Sequence, residues 1–584
     1  MSISDGEGNF GDFAITAQDD ASSTLSSEET PTEESENVTS PGGSIKQGDG
    51  IGMCGLTEMV AQCLSGNGKK NNENQTASSS QTDPQPFLRS SFFTHIPPTV
   101  RFYTKGTRVS RPNRKLCNRL QWCHNSLLPI VMRNSLAASH FKVVDESLQW
   151  IGYWGRHLKS VQYKTLKPIQ KVNHFPGAFH IGRKDRLWLH LKAMQKTWGD
   201  EFKVMPYTYV LPKDAKELRD YLESDPNHHV IVKPPASARG TGISVTRNLK
   251  EIPTKTALVA QHYVARPMTI NGAKFDLRLY AYVTSLDPLR LYLYEEGLVR
   301  FASVPYSSCL STISNRYMHL TNYSINKLAE ADGVAEGAVP KWRLSELWTY
   351  LDANGWDVTQ IQAMIDDTII KAVIACEKSV REHMTRFIDC GFVCHELFGI
   401  DILLDEDARP WLLEVNISPS LHSGTPLDIA VKAPLAKDVL NMAGIQVPAD
   451  DGGSFSSFCE KPRYWQQDKK TMSKERHFAG KYKREGRIGN SITKRLTPED
   501  VRILCEFEDE YARKGDFRLL FPSSTTVELQ QYFPEVLYSN LLLQQWQILQ
   551  DDDRQIGIDR LEDYCRDGYL TKFLEESTIQ QEDV

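Results

Sequence analysis

The stretch that most constrains the fold runs from Gly399 to Ser420. Two apolar runs, Ile400 to Leu404 and Trp411 to Val415, flank a turn built from Asp405, Glu406, Asp407 and Pro410. That pattern reads as a β-hairpin. Asp401 lies on its first strand. Glu414 and Asn416 lie two apart on its second, so their side chains leave the same face. If Asp401 joins that face, three oxygen-bearing side chains converge. Oxygen ligands without Cys or His suit Mg2+, and Mg2+ held by few protein groups usually also holds substrate phosphates. The plainer alternative, a surface hairpin with solvated acids, does not explain a Glu and an Asn inside an apolar run.

At 584 residues the chain has room for several domains. Its net charge of -6 is modest for that length and does not point to nucleic acid. Eleven cysteines are scattered without a completed zinc motif, a usage that suits a reducing compartment. The acidic, Ser-rich start lacks a signal pattern, and no run approaches the roughly 18 apolar residues of a membrane span. The chain therefore reads as cytosolic, with no membrane partner.

Residues 1–90 hold few large apolar groups and are expected to form a disordered arm. Beyond it, Lys184 to Trp198 reads as a basic amphipathic helix. Strands are expected at Tyr207 to Leu211 and Val230 to Lys233. The small-residue loop after Lys233 carries Arg239 and Gly240 and leads into Ile243 to Val245. Small residues let the backbone approach phosphate oxygens; a plain hairpin loop is the alternative. Leu258 to Val264 is a further strand that could present backbone groups and Gln261 to a purine. Phe275 to Ser285 and Leu289 to Phe301 form the longest β signal. Lys274, Asp276 and Arg278 share one face there, with Phe275, Leu277 and Leu279 on the other. This is either mutual charge pairing on an exposed face or a polar site, and Arg300 on the neighbouring strand favours the site. Lys341 and Trp342 are read as opening a helix. Residues 461–495 hold twelve Lys and Arg against three acids, a net +9. Helices are expected over Thr497 to Ala512 and Val527 to Leu549, and the acidic tail from Asp551 is expected to be peripheral.

Taken together, Lys233-Pro-Pro with Arg239-Gly, Gln261-His-Tyr-Val, Lys274-Phe-Asp-Leu-Arg278, Leu298-Val-Arg-Phe301, His319-Leu-Thr-Asn-Tyr-Ser324, Phe398-Gly-Ile-Asp401 and Leu413-Glu-Val-Asn-Ile-Ser-Pro-Ser420 resemble the tubulin tyrosine ligase-like family. The likeness is to its polyglutamylase branch, especially the type four enzymes. The resemblance implies an α+β, ATP-grasp fold with N-terminal, central and C-terminal subdomains over residues 115–450. A basic microtubule-binding segment (451–500) and a helical extension (501–584) follow. It implies ATP and Mg2+, free L-glutamate as a substrate, and tubulin tails as partners of a monomeric enzyme. Family members phosphorylate the acceptor carboxylate with ATP, and the amine of the incoming glutamate attacks the acyl phosphate.

The resemblance also assigns roles. Asp401, Glu414 and Asn416 match metal ligands. Lys233, Arg239, Gly240, Gln261, His262, Tyr263, Val264, Lys274, Phe275, Asp276, Thr321 and Asn322 match the ATP site. Arg278 matches a phosphate or acyl-phosphate contact. Arg300, with Tyr323, Ser324 and Lys341, matches the glutamate site. Arg239 and Ile417 resemble the branch-point-forming members, and likeness to type four enzymes suggests the β-tubulin tail. Lys432 lies in a helix that relatives use against the microtubule. Cytoskeletal, ciliary or axonal microtubules all fit such a chain. Two other readings stand beside this one: an ATP-grasp ligase acting on non-tubulin acidic proteins, and a microtubule binder without catalysis.

Overall fold

In a computed structural model of the chain the described residues are 83–145, 149–237, 240–309, 312, 314–333, 340–388, 391, 393–447, 469–550 and 553–569. The arm expected over 1–90 lies outside them up to residue 82. Near the start, four short strands form a parallel sheet in the order β2-β1-β3-β4: β1 (Gln121–Cys123), β2 (Lys142–Val144), β3 (Gly152–Tyr153) and β4 (Lys171–Val172). Helix α1 (Lys184–Trp198) follows and buries Leu187, Trp188 and Leu191, the i, i+1 and i+4 positions of its apolar stripe.

The second sheet is antiparallel, in the order β5-β8-β6-β7, with β5 (Thr208–Leu211), β6 (Val230–Lys233), β7 (Ser244–Thr246) and β8 (Leu258–His262). Helix α2 (Ala215–Ser224) covers it with Leu218 and Leu222.

The central sheet is built on β9 (Ala273–Leu286), 14 residues long. The run after it divides at Glu295 to Gly297 into β10 (Leu289–Tyr294) and β11 (Leu298–Phe301), which pair with the two halves of β9. Gly297 is required there: a Cβ would stand 2.8 Å from the Arg278 carbonyl oxygen. The expected helix start at Lys341 is instead a strand, β12 (Lys341–Arg343), which pairs with β11 before a helix begins at Leu344. Helix α3 (Val358–Phe387) packs Ile361, Ile365, Ile369 and Val373 into the same core as Leu277, Leu279, Ile400 and Ile402. The expected hairpin is present as β13 (Glu396–Leu404) and β14 (Pro410–Asn416). Its turn is closed by Asp405, whose carboxylate accepts hydrogen bonds from the amides of Asp407 and Arg409 and from Trp411 Nε1. Helix α4 (Pro426–Met442) starts at a Thr425 cap.

The basic stretch and the helical extension fold together. Helices α5 (Lys469–Glu485) and α6 (Pro498–Ala512) precede β15 (Phe517–Phe521), which pairs with β10 and so joins the central sheet. Helices α7 (Tyr538–Gln550) and α8 (Arg554–Arg566) complete a third cluster, with Phe478, Leu504, Leu542, Trp546 and Leu561 inside. The expected single helix from Val527 is instead a 3-10 segment, Ser524–Tyr532, followed after a break by α7. The segment from Asp551 is not peripheral as far as α8, because Ile558, Leu561 and Cys565 are buried.

Candidate active site

Cross-strand register assembles the site. Arg300 stands opposite Lys341 on one side and Asp276 on the other. Arg278 stands opposite Asp401, and Asp401 opposite Glu414. Neighbours across a ladder share a face, so one polar row crosses five strands. The register slips between Asp401 and Ile402, where Leu413 is the extra residue of a bulge. Without it, Leu412 and Glu414 would share a face. With it, Leu412 stays fully buried in the core while Glu414 turns to the cleft.

The row is densely paired. Arg278 donates to both Asp401 oxygens, at 2.5 and 3.0 Å. Arg300 donates to Asp276 at 2.7 Å and reaches Asp401 at 2.9 Å. Burial alone would raise the Asp401 carboxyl, but Arg278 and Arg300 hold it well below the usual carboxylate range. It is therefore ionised. Glu414 pairs with Lys184 at 2.9 Å. Asn416 donates through Nδ2 to Glu414 and to the Gly399 carbonyl, which leaves Oδ1 as its atom for a metal. Gly399 allows this packing, since a Cβ would meet Pro419 at 2.8 Å. An all-oxygen set of two carboxylates and one carboxamide fits Mg2+.

The cleft beside this row is lined by Lys233, Gln261, His262, Tyr263, Val264, Lys274, Asp276, Thr321, Asn322, Asp401 and Glu414, with apolar Ile231, Ile243, Leu403 and Leu413. Lys233 donates to Gln261 at 2.8 Å, and Gln261 in turn donates to Thr208, so the carboxamide aims the lysine. Lys274 donates to the Tyr263 hydroxyl at 3.2 Å. Both lysines are fully buried. Burial, with Lys184 adding repulsion, lowers Lys233 to about 8; burial, with Lys233 adding repulsion, lowers Lys274 to about 7. Two desolvated ammonium groups side by side are a receptor for anionic oxygens.

Most of the expected nucleotide residues are thus brought together. Gly240 takes a φ of +75°, and its missing Cβ lets the loop approach Asn322 Oδ1 and Ile325. Arg239 and the Tyr323 side chain lie outside the described residues. Phe275 is a correction. Strand alternation turns it away from Lys274 and Asp276, and it is buried in the core against Phe301. Of the residues expected at the glutamate, Arg300 is on the row and Lys341 pairs with Asp428 at 3.4 Å. Ser324 is half-buried on the helix Tyr323–Ala331. Lys432 is also corrected as a surface contact. It is 6% exposed, salt-bridged to Asp428 at 2.8 Å, and donates to the His422 carbonyl. Lys184 was not singled out from the sequence. It heads an amphipathic helix, and nothing in that periodicity marks a lysine whose partner is more than two hundred residues away.

Two antiparallel sheets closing on a lysine-floored cleft, with an Asp–Glu–Asn hairpin beside it, define an ATP-grasp protein. The model of the tubulin-tyrosine ligase family matches residues 162–454. The chain belongs to that family. It is 64% identical over 487 residues to the tubulin polyglutamylase ttll-4 of Caenorhabditis elegans, covering 83% of this chain and 81% of that protein. It is 42% identical over 509 residues to the tubulin monoglutamylase TTLL4 of Homo sapiens, covering 83% of this chain and 42% of that protein. The tubulin polyglutamylase TTLL5 of Mus musculus is 37% identical over 424 residues, 68% of this chain and 32% of that protein.

Proposed function

We propose that this chain is a tubulin glutamylase, an ATP-dependent ligase that joins free L-glutamate to a glutamate side chain in an acidic tubulin tail. The observation that carries this reading is the polar row from Lys341 through Arg300, Asp276, Arg278 and Asp401 to Glu414, with buried Lys233 and Lys274 beside it. Bound ATP supplies a phosphoryl group that makes the acceptor carboxylate an electrophile. Lys233 and Lys274 hold phosphate oxygens, with Lys184 holding Glu414 in place; Ile231, Ile243, Leu403 and Leu413 wall the base. Asp401, Glu414 and the Asn416 oxygen would hold Mg2+, which would offset phosphate charge. Arg278 neutralises charge that develops on the transferred phosphoryl group. Arg300 and Lys341, facing each other across β11 and β12, hold the carboxylate of the incoming glutamate.

Initiation at branch points, rather than elongation, is part of the proposal. It rests on the resemblance of Arg239 and Ile417 to the branch-point-forming members; the Ile417 side chain lies beside Gly182, where a Cβ would stand 2.5 Å from it. Preference for the β-tubulin tail rests on likeness to the relatives. The test is mass spectrometry of tubulin incubated with the purified chain, ATP, Mg2+ and glutamate. Mass additions of single glutamates on a tail are expected, with branch-point linkages in fragment spectra, and Glu414→Gln should lower the rate at least roughly hundredfold. Microtubule pelleting without any addition of glutamate would overturn it.

A further inference from the structure

Far from the cleft, Arg89, Arg101 and Arg513 surround one open pocket between the N-terminal segment and the C-terminal end of α6. All three are half-buried, and among the described residues none of them makes an ion pair within 4.0 Å. Arg89 is tied by Nη1 to the Ala512 carbonyl at 2.6 Å. Arg101 lies over the Tyr103 ring at 5.6 Å. Arg513 is wedged against Gly444, and its Nε is buried without a hydrogen-bond partner. The one carboxylate in the pocket, Asp509, accepts from Ser91 Oγ at 2.6 Å and from the Phe92 amide at 3.0 Å. Burial, and then repulsion from Arg101 and Arg513, disfavours the charged form of Arg89. Three guanidiniums crowded around one carboxylate leave excess positive charge that an oxyanion would offset.

The pocket has a defined place relative to the reaction centre. Helix α4 joins them. At its N-terminal end Asp428 pairs with Lys341 and Lys432. At its C-terminal end Asn441 is bonded in both directions to the Phe102 backbone, next to Arg101, and Gly444 abuts Arg513. Seventeen helical residues span about 25 Å. An extended peptide covers that distance with about eight residues.

We propose that this pocket is a second subsite for an acidic peptide, taking a side-chain carboxylate of an acceptor tail about eight residues from the one that reacts. The choice of an acidic peptide rests on the function proposed above. Two local features favour carboxylate over phosphate: Asp509 opposes a dianion more than a monoanion, and Phe92 and Pro97 offer apolar walls to a side-chain stem. Bidentate pairing with Arg513 or Arg101 would orient the tail along α4 and set the distance between an anchoring glutamate and the reactive one.

The test is binding, without nucleotide, of a fluorescent Glu-rich peptide of about 16 residues to the full chain, read by anisotropy. Arg101→Gln and Arg513→Gln should each raise Kd about tenfold at moderate salt. Turnover of a peptide of about five residues, too short to span the distance, should stay unchanged. Arg101→Gln breaks no ion pair and keeps the test open if Arg513→Gln fails to fold. An unchanged Kd for Arg101→Gln overturns the subsite. Tighter binding of a phosphoserine peptide of equal length, lost in the same variant, overturns the carboxylate assignment. Peptide binding that depends on Arg101 in a chain that ligates nothing keeps the subsite and discards the function; ligation with indifferent binding does the reverse.

Discussion

At the scale of single residues, the cleft is arranged for anions by lysines that water no longer reaches. Lys233 and Lys274 sit near 8 and 7 because burial disfavours their charged forms. Phosphate oxygens favour the charged forms, so nucleotide binding must raise both values and take up protons. Affinity for ATP is expected to fall as pH rises through that range. Calorimetry at pH 8 in two buffers of different ionisation enthalpy should show net proton uptake, and its absence would place the phosphates elsewhere. Lys184 is the second case. Its ammonium holds Glu414 at 2.9 Å while donating to the Ser237 carbonyl at 3.1 Å, linking helix α1 and the loop after Lys233 to the proposed metal ligand. Lys184→Ala should weaken metal-dependent nucleotide binding by roughly 10- to 100-fold with little change in melting temperature. An unaltered affinity would reduce Lys184 to packing.

At the scale of elements, the hairpin is steered by a buried dyad at its entrance. Glu396, the first residue of β13, accepts from the Phe175 amide at 2.9 Å and meets His174 Nδ1 at 2.8 Å. His174 Nε2 faces the Gly155 carbonyl at 2.8 Å and must carry a hydrogen there. Burial pushes Glu396 up to about 8 and His174 down to about 4, so the carboxyl is protonated and donates to Nδ1. The folded state keeps the Glu396 proton to about pH 8, whereas the unfolded chain releases it near 4.5. This stability is fully present below 4.5 and is lost as pH rises through 8. Glu396→Gln keeps the shape and both hydrogen bonds, so its melting temperature should fall less between pH 6.5 and 8 than that of the parent. Equal slopes would mean that the carboxyl is ionised throughout. The hairpin and the Lys274, Asp276, Arg278 face were legible in the sequence because side chains alternate with a period of two. The bulge at Leu413 was not, since one extra residue leaves no mark in composition. The strand at Lys341 was read as a helix start because three residues cannot establish a period, and only pairing with β11 decides.

At the scale of the molecule, positive charge is presented on α5 and the turn that follows it. Lys469, Lys470, Arg476, Lys483, Arg484 and Arg487 are exposed, whereas Lys474 is spent on Asp500 at 2.7 Å and Lys481 on the Ile488 carbonyl. Replacing Lys483, Arg484 and Arg487 by Gln should lower microtubule affinity several-fold at low salt and much less at high salt. Equal loss at both would point to unfolding rather than charge. The net +9 of this stretch was readable from sequence, but its anchoring was not. Phe478 and Tyr482, spaced like any helical pair, belong to a core that also draws on Phe93 far upstream and on Leu504, Leu542, Trp546 and Leu561 downstream. The short Phe-Arg-Leu-Leu-Phe run at 517 is bounded by Gly515-Asp516 and Pro522, but five residues without clear alternation do not announce a sheet strand.

The pairing of β15 with β10 makes the family-matched stretch something less than a separable piece. Cutting the chain after residue 454 would strip the neighbour from Leu291 to Tyr294 and leave an open, greasy border on the very sheet that carries the polar row. Shorter versions made for crystallography or assay should therefore clump, or need a grafted strand in its place. Any redesign of the C-terminal region must keep those five residues or mend the edge in some other way.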